Sequence, residues 1–209
     1  MRHTEEEGVN APGSVLSGPA LEGRWTGLMD ITVAERKLSL RSKYDISAPD
    51  CQYYAEGSRW PFSSRFKLLS ADREQELARI IWRFSFFRDR YDIRLRSGTV
   101  YRFWCENLWR VVYACKGEQA FYRLYQHKGL TYSLFRGDRQ VAAIEKNRFV
   151  IGNGDRYDIR VNRSENTLLV ICMALVLDAL DGSHDSTVTV DLGNIGPEAR
   201  RFDESWEPD

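Results

Sequence analysis

The 209-residue chain lacks most of what announces a function. It has no run of about 20 apolar residues, the length a membrane-spanning helix needs, and this excludes a polytopic membrane protein. Six prolines and 15 glycines are too few for a collagen-like or low-complexity chain. No Cys-x-x-Cys pair occurs. Cys51, Cys105, Cys115 and Cys172 stand far from one another and from His3, His127 and His184, a pattern of four free thiols that supports no metal site. There is no Gly-x-Ser-x-Gly, no His-Glu-x-x-His, no P-loop and no Gly-x-Gly-x-x-Gly, so nothing places a nucleophile, a metal or a nucleotide cofactor. Met1–Glu7 contains no apolar stretch, which predicts no secretory signal. Arg2 and the ending Trp206-Glu207-Pro208-Asp209 fit no lipidation signal.

The chain also has no net charge, with 30 basic and 30 acidic residues. That balance hides an asymmetry. Residues 1–23 carry −3, residues 181–209 carry −6, and residues 24–180 carry +9. A basic body therefore sits between two acidic ends. Arginine dominates it: 24 of the 30 basic residues are Arg. Arginine suits bidentate contact with phosphate or carboxylate. It equally serves in internal ion pairs and covers apolar surface with its stem, and both readings stay open at this level.

The 43% of hydrophobic residues is enough for a core without disulfides or metals. Their spacing has period 2. Met29, Ile31 and Val33 alternate, as do Leu38 and Leu40. Ala78, Ile80, Trp82, Phe84 and Phe86 share one face of an expected strand; Asp72–Ile81 read alone would also suit the start of an amphipathic helix. Further strands are expected at 91–95, 99–104, 108–115, 120–126, 130–135, 141–145 and 157–161. Gly98, Gly117, Gly129 and Gly137 mark turns, and Asn153-Gly154 marks a tight hairpin. Asp-Arg-Tyr-Asp-Ile-Arg occurs at 89–94 and again at 155–160, with a looser copy at Lys43-Tyr44-Asp45-Ile46. Strand alternation predicts Tyr and Ile inward, Asp and Arg outward.

Residues 168–177, Leu-Leu-Val-Ile-Cys-Met-Ala-Leu-Val-Leu, break the pattern. They read as a helix from 165 to 180, with Ser164 or Asn166 as the N-cap and Gly182 at the end. A helix apolar all round must be buried all round. Asp178 closes it too early for a membrane span. A barrel closed around this helix buries it and removes every sheet edge.

Four segments in this order carry a resemblance: Leu38-Ser-Leu-Arg-Ser-Lys-Tyr-Asp-Ile46, Phe62–Glu76, Tyr125–Glu145 and Thr167–Asp178. The chain resembles the tubby C-terminal-like superfamily, nearest its LURP-one-related branch, with the phospholipid scramblases as relatives. The resemblance implies a mainly β (α+β) fold, a closed antiparallel barrel of about twelve strands around a central hydrophobic helix. Composition and charge add the ends, so three regions are expected: a flexible acidic leader at 1–23, the barrel with its helix at 24–181, and an acidic tail at 182–209. The resemblance also implies a basic lipid or phosphate site on an early strand, for which Arg36, Lys37, Arg41 and Lys43 are the candidates. The scramblase calcium segment corresponds to 155–165, where the acids alternate with Arg as on a strand, which argues against calcium.

The expected function is a non-enzymatic module, without cofactor or metal, that binds anionic phospholipid or phosphoinositide head groups at a membrane surface. It would be cytoplasmic and peripheral. The alternative is a protein-interaction or structural module with no lipid ligand, whose acidic tails engage a partner or shield the basic body. Arg–aromatic interleaving at 104–110 and 121–125 is what a β protein shows when its core faces in and its charge faces out, and nucleic acid is not expected as a partner. His127, in Gln126-His127-Lys128-Gly129, is read as an exposed turn residue.

Overall fold

The computed structural model describes residues 30–36, 42–58, 65–85, 89–107, 111–147, 154–181 and 200–209. Twelve strands run in order: β1 Asp30–Arg36, β2 Ser42–Ser47, β3 Gln52–Ser58, β4 Arg65–Ser70, β5 Glu76–Arg83, β6 Arg90–Leu95, β7 Val100–Cys105, β8 Val112–Lys116, β9 Phe121–Gln126, β10 Thr131–Arg136, β11 Arg139–Asn147 and β12 Arg156–Val161. One helix, α1, follows at Thr167–Asp181. Each strand pairs antiparallel with its sequence neighbours, and β1 pairs with β12 to close the barrel.

The helix solves a volume problem. An eight-stranded barrel is about as wide as its own side chains can fill, and width grows with strand number. Twelve strands leave a lumen, and α1 occupies it. Leu169 through Asp178, together with Leu180, are buried. At ~1.5 Å per residue it is about 22 Å long, and no helix among the described residues is long and apolar enough to cross a membrane. Asn166 caps it: Leu169 N–H donates to the Asn166 side-chain oxygen at 3.1 Å, as one of the two expected cap residues should. Gly182 lies outside the described residues.

The repeated hexapeptide behaves as strand alternation requires. Tyr44 and Ile46, Tyr91 and Ile93, and Tyr157 and Ile159 all face the core and are buried. Gly98, Gly129 and Gly137 take φ of 89°, 78° and 63° at their turns, a region that glycine enters without a side-chain clash. Two expectations change. Phe84 follows the end of β5 and is 65% exposed, so it leaves the inward face that Ala78, Ile80 and Trp82 share; Phe86 lies outside the described residues. Asn153 of the expected Asn153-Gly154 turn lies outside the described residues; Gly154 lies against β1, where a Cβ would sit 2.4 Å from the Glu35 carbonyl oxygen. His127 is 2% exposed rather than an exposed turn residue. Its Nε2 meets Ser133 Oγ at 2.6 Å, and the Phe202 ring, from the far end of the chain, packs tilted against its ring.

At the C-terminal end of α1 the lumen closes on a charge cluster. Lys146 Nζ, on β11, lies 3.5 Å from Asp178, 2.9 Å from Asp181 and 2.9 Å from Asp155. The Tyr44 and Tyr157 hydroxyls donate to Asp178 at 2.5 and 3.0 Å. Burial, reinforced by the Asp178 charge, holds both phenols well above their ordinary range. Burial pulls the Lys146 ammonium down, but Asp178 and Asp181 outweigh it and leave it above its usual value. A cation here also suits the negative end of the helix dipole.

Candidate anion-binding face

The outer wall is where the basic surplus goes. On β4–β8 the core side is filled by Phe66, Leu68, Ile80, Ile93 and Phe103, which turns the intervening residues outward. Register then lines these residues up across strands. Lys67 stands opposite Arg79, Arg79 opposite Arg94, and Arg94 opposite Val100. The next row carries Asp92, Arg102, Lys116 and Phe121. Directly opposed side chains have Cβ atoms about 5 Å apart, and like charges in that position destabilise the sheet. Three adjacent cations in one row are therefore a stability cost accepted on this face.

Carboxylates offset part of it. Glu76 takes both the Nε and Nη2 of Arg79 at 2.6 Å, and this holds the Glu76 carboxyl below its usual range, with Lys67 helping from farther off. Asp92 accepts from Arg83 at 2.8 Å. Lys67, Arg90, Arg94, Arg102 and Lys116 are exposed and form no ion pair among the described residues. Each row ends in an exposed apolar side chain: Val100 is 45% exposed and Phe121 37%. Phe121 lies beside Trp104, with ring centroids 6.5 Å apart.

Arg36 and Lys43, two of the four residues expected from sequence, lie directly opposite each other on β1 and β2. They belong to the first row, separated from Lys67 by Glu56. The Arg36 guanidinium forks onto Asp45, with Nη2 at 2.8 Å from one oxygen, so it is already engaged. Lys37 and Arg41 lie outside the described residues. Sequence reasoning did not single out Lys67, Arg79, Arg94, Arg102 or Lys116. The outward placement of Arg94 was visible in the hexapeptide repeat, but the rows depend on register.

A second concavity opens at the N-terminal end of α1. It encloses about 470 Å³ and is lined by Tyr101, Tyr122, Arg136 and Glu165, among others. Glu165 engages two of its polar groups. Glu165 accepts from the Tyr122 hydroxyl at 2.9 Å and pairs with Arg136 at 3.1 Å. Burial and the Glu165 charge push the Tyr122 phenol up to about 12.

The family model of the LURP-one-related proteins matches residues 29–178, from the start of β1 into α1. The chain belongs to the LURP-one-related family. The family lies within the tubby-like superfamily, and the closed twelve-stranded barrel with its C-terminal helix is the fold that membership implies. No curated protein and no solved structure shows a significant match to this LURP-one-related chain.

Proposed function

We propose that this tubby-like domain is a non-enzymatic module that holds anionic phospholipid head groups, phosphoinositides included, against the outer face of β4–β8. One observation carries the reading: Lys67, Arg94, Arg102 and Lys116 are exposed cations with no ion pair among the described residues, in rows that end in exposed Val100 and Phe121. The guanidinium and ammonium groups supply charge-assisted bonds to phosphate oxygens. The apolar ends supply contact with the boundary of the acyl chains. Arg36 and Lys43 extend the same basic row past Glu56 toward β1. This reading places the protein in the cytoplasm, at the membrane periphery.

A cation at an anionic membrane surface contributes about 1 kcal/mol. Four of them give roughly 4 kcal/mol, or about a thousandfold over neutral vesicles. The test is co-sedimentation with neutral, phosphatidylglycerol-containing and phosphoinositide-containing vesicles. Binding to the two anionic classes, weakened at high salt and lost in the Arg94→Glu, Arg102→Glu double variant, is the expected result. Equal binding of the variant, or none by the wild type, refutes the assignment. In the latter case a protein-interaction module becomes the better reading.

A further inference from the structure

The opposite wall of the barrel is built differently. Outward positions of β9–β11 carry Tyr125, Ser133, Phe135 and Ala143, which are 2%, 0%, 8% and 5% exposed. Outward positions of β4–β7 carry exposed Lys67, Arg79, Arg94 and Arg102. An outer barrel face this apolar and this dry requires a cover. Residues 200–209 supply part of it.

Their side chains divide into two sets. Arg200, Phe202, Trp206 and Pro208 are half-buried, while Arg201, Asp203, Glu204, Ser205, Glu207 and Asp209 are exposed. Phe202 packs at a tilt against His127, with ring centroids 5.2 Å apart. Asp203 then makes a turn, accepting from Ser205 N–H at 2.9 Å on its side chain and from Trp206 N–H at 3.3 Å on its carbonyl. The turn sets the Trp206 ring 5.7 Å from the Arg160 guanidinium, and Arg160 donates to the Trp206 carbonyl at 3.0 Å. Arg200 lies over the Phe135 ring at 5.1 Å and pairs with Asp138. Asp209 pairs with Arg139, and its N–H donates to Asn162 at 3.1 Å.

The hold resembles that of a bound peptide more than that of an integral strand. The segment joins no sheet ladder. Its ion pairs are exposed, the Asp138 side chain at 95% and Asp209 at 69%, and such pairs hold little. Two aromatic anchors with carboxylates between and after them meet a face rimmed by Arg139, Arg160 and Arg163. The segment belongs to the same chain, so it meets this face intramolecularly and a free peptide must compete with it. Even a modest intrinsic affinity then keeps the face occupied.

We propose that the outer face of β9–β12 is a docking groove for an acidic peptide segment with an aromatic residue on each side of a turn, and that residues 200–209 fill it in cis. A partner segment of the same chemistry binds by displacing them. The salt-sensitive acidic and aromatic recognition is distinct from the phosphate recognition assigned to β4–β8, so either assignment can fail without the other.

The test uses a labelled peptide of residues 200–209, with fluorescence anisotropy on two proteins: the full chain and its Phe202→Ala, Trp206→Ala double variant. The expected result is peptide binding at least about tenfold tighter to the variant, weakened by salt and absent for a peptide lacking both rings. Equal binding to the two proteins overturns the proposal, as does no binding to a variant that keeps its circular dichroism and cooperative melt. If the double variant does not fold, Trp206→Ala alone gives the same two readings. Concentration-dependent dimerisation of the wild type that the double variant loses would place the segment in a second copy's groove and overturn the cis assignment.

Discussion

Replacing Lys146 by Met tests what closes the C-terminal end of the lumen. Methionine keeps an unbranched apolar stem and removes the charge and all three donors. Lys146 is 4% exposed and Asp178 also 4%, and Asp155 and Asp181 reach the same ammonium at 2.9 Å. The variant leaves three carboxylates facing one another at the negative end of a helix dipole. Breaking a buried pair by deleting one partner costs ~3–5 kcal/mol, out of a total that for most domains is about 5–15 kcal/mol. For a chain of this size that corresponds to a melting-temperature drop of roughly 6–20 °C. The assay is urea unfolding followed by tryptophan fluorescence and circular dichroism together. Two features separate the ion cluster from a generic packing defect. Adding Asp178→Asn should recover part of the loss, because one charge is gone while one phenol still donates to the amide oxygen and the other phenol oxygen can accept from the amide NH2. Replacing Asp181 by Asn instead should also shrink the deficit of the single variant, because it too removes one of the facing charges. As a control, Arg36→Met removes an exposed fork on Asp45 and should barely change stability. A Lys146→Met loss below about 1 kcal/mol, or one indifferent to both manipulations, would refute the reasoning.

Alkaline stability should follow the two buried phenols and the ammonium. Tyr44 and Tyr157 hold their protons above the ordinary 10.0, and Lys146 above 10.5. The unfolded chain releases these protons first as pH rises. Their stabilisation is therefore complete below about pH 10 and lost above it. Tyr44→Phe with Tyr157→Phe should flatten the fall in unfolding free energy measured between about pH 9 and 11; an unchanged slope would exclude the phenols as its source. Gly154→Ala puts a Cβ 2.4 Å from the Glu35 carbonyl oxygen, at the β1–β12 seam that closes the barrel. It should cost ~1–3 kcal/mol in a thermal melt, and a melt unchanged from wild type would show that the seam gives way freely.

Much of this molecule is written locally. Period-2 alternation turned Tyr91 and Ile93, Tyr157 and Ile159, and Tyr44 and Ile46 inward, because a strand with one apolar face has only one way to bury it. Leu168–Leu177 is apolar on every side, so its burial inside a wall of strands was legible without coordinates, and Asn166 marked its start. β3 was harder to see. Gln52-Tyr53-Tyr54-Ala55-Glu56-Gly57-Ser58 has weak alternation, and Gly57 there answers to the Phe66 ring on β4, 2.5 Å from where a Cβ would lie. The candidate functional surface was harder still. Local pattern says which residues face water, but only register decides that Lys67, Arg79 and Arg94 share a row while Arg36 meets Asp45. Nothing in the local pattern singled out Lys146, and only closure brought it to the end of α1. His127 looked exposed because Phe202, which covers it, lies 75 positions away in sequence. Alternation and hydropathy record each residue's preference for water or core, and from them the sequence determined a barrel around a helix. Which charges meet, and which faces are left bare or covered, depends on contacts between distant segments, and only the closed tertiary structure decided them.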